Sequence, residues 1–313
     1  MIRAAKKFAK SLPFPLFLRL FYIFYFLFAL PKLSRAARTN GIESFSELDL
    51  RELKRSEALF ILGNGPSINQ ITKTRWQAIQ SQDTMACNFW LYHQFVPRFY
   101  FFELIDPGSS PTVYQEFLRV ANDRAQDYRN VVKVVTELHR ERLCMLHDLS
   151  QEWRENVYTF LPVPLAARTE AEFVYALDYL KRKGMFQSDH RIRCLFKYAS
   201  TLTALVVLAA KMRYKQIILC GVDLGTADYF YDDRRLYPKV RPDSRSPATG
   251  KFYALTDIPW MVKIDTVLNS LKQRVLEPAG IELYVENRSS VLWPEIPEAP
   301  NELFAHKAQV VGC

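Results

Sequence analysis

The most uneven hydrophobic pattern lies at the start of the chain. Residues 20–30 (LFYIFYFLFAL) are eleven apolar or aromatic positions in a row, and the run extends over 14–31 if Arg19 is taken in. A membrane-spanning helix needs roughly 20 mostly apolar residues, so the segment reaches that length only by including a charge. Basic residues flank it on both sides, so the positive-inside rule assigns no orientation. Three readings stay open: an anchor lying in the membrane interface, a short single span, and a buried helix of the fold. The first is the leading expectation. A cleaved signal peptide is disfavoured, because the residues after the run are basic and no small-residue cleavage site follows.

Further along, short apolar runs alternate with helical periodicity. Residues 58–62, 84–88, 99–105, 131–135, 216–220 and 282–285 read as strands. Helical patterns cover 45–53, 72–79, 114–128, 137–156, 170–183, 201–212 and 260–276, with Ser200 expected to cap the 201–212 helix. Residues 225–257 are rich in Tyr, Asp, Arg and Pro without a period, and read as a lid or long loop. Alternating strands and helices predict an α/β fold with a mostly parallel sheet covered on both faces. Ligands of such sheets bind outside the carboxyl ends of the strands.

Charge changes the picture less than its total suggests. The 313 residues carry a formal charge of +9. Eight Lys and Arg, and no Asp or Glu, fall in residues 1–40, leaving 34 basic against 33 acidic residues in the body. The excess positive charge therefore belongs beside anionic lipid, and no nucleic-acid partner is expected. Five cysteines (87, 144, 194, 220 and 313) form no C-x-x-C pair and read as reduced thiols. The histidines lack zinc-ligand spacing, so no metal site is expected.

Three constellations carry candidate chemistry. In Ile61-Leu-Gly-Asn-Gly-Pro-Ser67, Gly63 and Gly65 follow a strand directly and allow close backbone approach, while Asn64 and Ser67 offer hydrogen bonds beside Pro66. Read alone, the segment equally opens a dinucleotide or methyl-donor site, or forms only a tight turn; the third glycine of the dinucleotide fingerprint is missing. Asn88, in Cys87-Asn-Phe, ends the next strand and either joins Asn64 around a nucleotide or closes an Asx turn. Lys197-Tyr-Ala-Ser200 leads into a helix whose first N–H groups, from Thr201 onward, suit a carboxylate or phosphate.

In this order and spacing, G-N-G-P-S, C-N-F, the Ser-led apolar helix and Y-K-Q-I-I-L-C-G-V-D-L resemble the bacterial lipooligosaccharide sialyltransferases of glycosyltransferase family 42. The likeness continues at 281–290 (IELYVENRSS) and spans roughly residues 57–290, with 107–195 matched only in pattern. It implies a Rossmann-like variant of the GT-A fold, a CMP-sugar donor, inversion at the anomeric carbon and no metal or separate cofactor. It implies contacts from Asn64 and Asn88 to the nucleotide and donor sugar, and Ser200 beside the sugar carboxylate. Lys197 falls where the family has an arginine near the acceptor, Tyr231 where a lid tyrosine meets the leaving phosphate, and Ser289 and Ser290 beside the cytidine.

Two positions depart from the family pattern. Gly225 replaces a second lid tyrosine, and no histidine stands between His190 and His306 to act as general base. An inverting transfer still needs a proton acceptor. Asp257 is the nearest candidate, although it also fits a helix N-cap before Pro259; Asp243 and Asp223 are its rivals. The implied organisation is a membrane anchor at 1–40, a nucleotide-sugar-binding core at 41–224, a lid or acceptor loop at 225–257 and a completing segment at 258–313. The implied activity moves sialic acid from CMP to a surface glycolipid at the cytoplasmic face of a bacterial inner membrane, as a monomer or homo-oligomer. Transfer of Kdo from CMP-Kdo is the alternative within that chemistry. A catalytically inactive membrane-bound nucleotide- or partner-binding protein is the alternative from another class. A methyltransferase is disfavoured because Asn88 stands where an acidic residue would hold a ribose.

Overall fold

The computed structural model describes residues 12–165, 167–187, 193–198, 200–226, 228–240 and 262–304. Ten strands are found among them: β1 (Glu43–Ser44), β2 (Ala58–Leu62), β3 (Asp83–Cys87), β4 (Phe99–Glu103), β5 (Val132–Thr136), β6 (Val157–Thr159), β7 (Leu161–Pro164), β8 (Cys194–Lys197), β9 (Gln216–Cys220) and β10 (Glu282–Val285). Eight of them form a sheet of order β1-β6-β5-β4-β3-β2-β9-β10, parallel at every pairing. β7 and β8 make a separate parallel pair.

Strand chemistry explains why the sheet is central. All five residues of β2 and of β3 are buried, as expected for strands covered on both faces. Their side chains alternate between two cores. Leu59, Ile61, Phe99, Phe101, Ile217 and Leu219 enter one, and Phe60, Leu62, Tyr100, Phe102, Ile218 and Cys220 enter the other. The Thr201–Lys211 helix is apolar almost all round and lies in the first core. The Pro111–Asp123 helix supplies Tyr114, Phe117 and Val120 to the second.

The chain runs outward from β2 through β3, β4, β5 and β6, then returns to place β9 on the other side of β2. The order reverses between β2 and β9, so their carboxyl ends form the topological switch point. In open α/β sheets that is where ligands bind.

The N-terminal apolar run forms a helix over Phe14–Thr39, whose most apolar 18-residue stretch has a mean hydropathy of 1.8. One π-turn, Tyr25–Ala29, interrupts it just before Pro31. Proline lacks an N–H and its ring clashes with the carbonyl four residues back, Leu27, which lies in that turn. One face packs on the domain: Leu18 and Tyr22 are buried, Tyr22 stacks on Tyr179 at 5.9 Å, and its hydroxyl donates to the Pro164 carbonyl at 3.2 Å. The other face exposes Leu16, Leu20, Ile23, Phe24, Leu27 and Phe28. By length and composition this helix is apolar enough to cross a membrane.

Several sequence-based expectations are corrected. Residues 137–156 do not form one helix; they break into a 3-10 turn at Arg140–Arg142 and short helices at Cys144–Asp148 and Gln151–Arg154. Glu137 has a left-handed φ of 66°, Leu149 is extended, and Ser150 caps a new turn by accepting from Trp153 N–H. Residues 45–53 likewise form a 3-10 turn at Phe45–Glu47 and one helical turn at Leu50–Leu53. The last long helix begins at Ile264 and passes into a π-turn at Lys272.

Candidate active site at the carboxyl edge of the sheet

The loop after β2 is built against the loop after β9. Gly63 N–H donates to the Cys220 carbonyl at 2.7 Å, and Gly65 N–H to the Gly221 carbonyl at 2.8 Å. A Cβ on Gly63 would lie 2.5 Å from the Gly221 oxygen, and one on Gly65 would lie 2.3 Å from Asp223 Oδ2. The glycines are thus required by a neighbouring backbone, not only by approach to a ligand. Asp223 Oδ2 accepts Ser67 N–H at 3.0 Å, so this rival for the base role is occupied in holding the turn. On the far side, Ser290 Oγ donates to the Val222 carbonyl at 2.6 Å, while exposed Ser289 bonds Asn287.

Asn64 links this loop to the next strand tip, donating from Nδ2 to the Cys87 carbonyl at 3.3 Å. Asn88 follows with a left-handed φ of 50°. Left-handed non-glycine residues also stand just beyond β5 (Glu137, φ 66°) and β9 (Leu224, φ 56°). Asparagine tolerates this conformation, but for Glu and Leu it costs about 1–2 kcal/mol. Asn156 and Arg213, which precede β6 and β9 at the other end of the sheet, are left-handed as well.

The segment Phe230–Asp232 closes over the β2 and β3 tips. Phe230 N–H donates to the Asn64 carbonyl at 2.9 Å, and Asn69 Nδ2 donates to the Phe230 carbonyl at 2.7 Å. Tyr231 is buried, with its ring 5.0 Å from Tyr92 and 6.2 Å from Phe89, the residue after Asn88. Beneath, His93 stacks between Trp76 at 5.1 Å and Trp90 at 4.6 Å, and its Nδ1 accepts Phe95 N–H. Burial, reinforced by Arg124, pushes its pKa down to about 4, so it stays neutral and structural.

Ser200 occupies the N-cap position of the Thr201–Lys211 helix but makes no capping hydrogen bond, contrary to the sequence-based expectation. Thr203 takes over the local bonding, donating from Oγ1 to the Tyr198 carbonyl at 2.7 Å and accepting Tyr198 N–H. Among the described residues Ser200 Oγ is buried without a hydrogen-bond partner, as are Asn64 Oδ1, Ser67 Oγ, Asp83 Oδ1, Tyr128 OH, Thr136 Oγ1, Arg142 Nε and Trp153 Nε1. Buried polar atoms usually find partners, and each orphan invites an explanation. At the opposite edge, Asp83 at the start of β3 accepts through Oδ2 from Arg55 N–H, Ser56 N–H and the Tyr214 hydroxyl, and its Oδ1 forms an ion pair with Arg98 at 3.1 Å.

Thr201 Oγ1 donates to Glu103 Oε1 at 2.5 Å, which fastens the helix start to the β4 tip. Glu103 also receives Lys197, whose Nζ is 3.1 Å away, and Lys197 lies 2.5 Å from Glu137 Oε1 beyond β5. Arg142 and His139 each come within 3.3 Å of Glu137. Burial would raise the Glu137 pKa, but Lys197, Arg142 and His139 overcome it and hold the carboxyl below its ordinary range. Burial opposes the charge on Lys197, and the two glutamates reverse that and raise its pKa.

Asn64, Asn88, Tyr231, Thr201 and Lys197 therefore share the carboxyl edge of β2, β3, β4 and β8. Ser289 and Ser290 lie toward β9 and β10. Asp257 and Asp243 fall outside the described residues. Glu103 and Glu137 were not singled out in the sequence; the available signal was a carboxylate directly ending, or one residue beyond, an apolar strand. Among the described residues, no group of three or more His, Cys, Asp or Glu side chains is arranged to hold a metal ion. Comparison with models of known protein families, with curated proteins and with solved structures finds no match to this chain.

Proposed function

We propose that the chain is an inverting glycosyltransferase of the sialyltransferase type, which moves an acidic ulosonic sugar from CMP to a membrane-borne glycan. In its support, three of the eight buried polar side-chain atoms that lack a hydrogen-bond partner among the described residues, Asn64 Oδ1, Ser67 Oγ and Ser200 Oγ, fall in the motifs that resemble family 42. Asn64 and Ser67 follow β2 at the switch point of the large sheet, where ligands of such folds bind. The exposed apolar face of the Phe14–Thr39 helix supports a lipid-linked acceptor and a position on the membrane surface.

The chemistry is a single displacement. The acceptor hydroxyl gives its proton to a carboxylate as its oxygen forms a bond to the anomeric carbon. The bond from that carbon to the CMP phosphate breaks, and its electron pair leaves with CMP. Tyr231 and the first N–H groups of the Thr201–Lys211 helix stabilise the charge growing on the phosphate. The donor carboxylate lies by Ser200. The base is Asp257; Glu137, kept ionised at the same edge, is the alternative among the described residues.

The test is nucleotide release by the full chain in lipid vesicles carrying a glycolipid acceptor. Either CMP-sialic acid or CMP-Kdo is expected to turn over without added metal. Asp257→Asn is expected to keep donor binding and lose turnover. No CMP release from any acidic-sugar donor would contradict the proposal.

A further inference from the structure

A concavity borders Lys197, which also reaches Glu103 at the β4 tip. It is a cleft of about 910 Å³ between the second half of the N-terminal helix and the corner formed by Glu137 and Lys197. That volume is in the range of small-molecule sites, roughly 300–1,000 Å³. Its chemistry is graded. Ala29, Leu33, Leu143 and Pro162 give it apolar walls, Lys32, Arg35 and Arg140 give it a basic rim, and Glu137 with Lys197 forms its polar end. None of the three rim cations has a carboxylate partner among the described residues. Glu137 is the acid in the cleft, and Lys197 and Arg142 already neutralise it.

The rim follows directly on the exposed apolar face of the same helix. Phe24, Leu27 and Phe28 are 60%, 62% and 56% exposed, and Lys32 and Arg35 come one to two turns later. If those rings enter the acyl region, the two cations stand at the level of lipid phosphates. The cleft mouth then opens at the lipid–water boundary, and its polar end reaches Lys197. Through Glu103 that lysine connects to Thr201 and the donor mouth.

We propose that this cleft is the acceptor channel: it receives the phosphate-bearing head of an acidic membrane lipid, with Lys32, Arg35 and Arg140 on the phosphate and the attached polar group directed to the Glu137–Lys197 corner. The assignment of the lipid as acceptor rests on the transferase reading, whereas lipid capture itself does not.

Binding of dihexanoyl phosphatidic acid, monomeric in solution, to the full chain in a nonionic maltoside detergent tests the proposal by calorimetry. One saturable site is expected, at least tenfold tighter than for glycerol 3-phosphate, which carries the same anion without acyl chains, or dihexanoyl phosphatidylcholine, whose charge is balanced. Arg35→Ala with Arg140→Ala is expected to weaken binding at least tenfold. Ala29→Trp, which fills the cleft, is expected to abolish it while CMP still raises the melting temperature. Absence of saturable binding, equal binding of glycerol 3-phosphate, or affinity unchanged in the double variant would overturn the channel. Lipid binding without any CMP response would leave the channel standing and remove the donor reading instead.

Discussion

Lys197 Nζ stands 2.5 Å from Glu137 Oε1, and this contact joins β8 of the small sheet to the tip of β5 in the large one. Lys197 also neutralises Glu103, so its removal leaves two facing carboxylates at the mouth. Breaking a buried pair costs about 3–5 kcal/mol; with side chains 15–31% exposed, about 2 kcal/mol is expected for Lys197→Met at pH 7. Glu137 has a lowered folded pKa, so its contribution is complete above its ordinary 4.5 and fades as pH falls through the folded value. Urea unfolding of wild type and variant is expected to show a smaller difference at about pH 3.5, below the ordinary carboxylate value, than at about pH 7, well above it. An equal difference at both would contradict the pairing.

His93 supports the Phe230–Tyr231 segment from below and gives a second pH signature. Its pKa is lowered from 6.5 to about 4, so the unfolded chain binds the proton more readily between those values. Stability is then full above pH 6.5 and declines as pH falls toward 4. Wild type is expected to lose about 2 kcal/mol more than His93→Phe between pH 7 and pH 5 in denaturant titrations. Phe keeps the ring stacking and forfeits only the bond from Phe95 N–H, at about 1 kcal/mol. Parallel pH profiles would rule out the buried neutral imidazole.

Gly65→Ala places a methyl group 2.3 Å from Asp223 Oδ2 and 2.7 Å from the Gly221 carbonyl. The expected loss is about 1–3 kcal/mol, because the β9 loop must shift and release Ser67 N–H. Thermal melts are expected to show a lower midpoint and no further stabilisation by CMP. A variant that melts and responds like wild type would show that the two loops are not locked together.

Phe24→Ser, Leu27→Ser and Phe28→Ser combined test the membrane face. Together these three exposed side chains are worth on the order of 3 kcal/mol of apolar burial in lipid, about a hundredfold in partition. Cosedimentation with phosphatidylglycerol vesicles is expected to fall accordingly, with the circular dichroism spectrum unchanged. Retention of wild-type binding would move the anchor elsewhere.

The fold is legible where burial is two-sided and punctuation is strong. β2, β9 and β10 keep the bounds read from the sequence, because unbroken apolar runs end at Gly63, at Gly221 and in the polar turn after Val285. β6, with three residues, and β7, with prolines at 162 and 164, carry too little pattern to announce a strand. Residues 137–156 have helical spacing, yet Ser150 competes for the backbone and the left-handed Glu137 fixes the turn after β5. Within the candidate site, Asn64 after β2 bonds the tip of β3, and Thr201, at the start of its helix, bonds the tip of β4. Glu103 and Glu137 become visible only when β4, β5 and β8 are brought side by side, because their shared partner Lys197 is 60 residues from Glu137 in the chain. Ser200 kept its position but not its capping role, since Thr203 satisfied the neighbouring backbone first.

The central claim is that the edge formed by Asn64, Ser67 and Ser200 holds a cytidine monophosphate head. Calorimetric titration of CMP into the full chain, and into Asn64→Ala and Ser200→Ala, addresses it most directly. One saturable site is expected in wild type, weakened at least tenfold in each variant; without ligand Ser200→Ala keeps the wild-type melting temperature, whereas Asn64→Ala, which loses the bond to the Cys87 carbonyl, melts lower. No CMP binding by wild type, or equal affinity in all three proteins, would contradict the account.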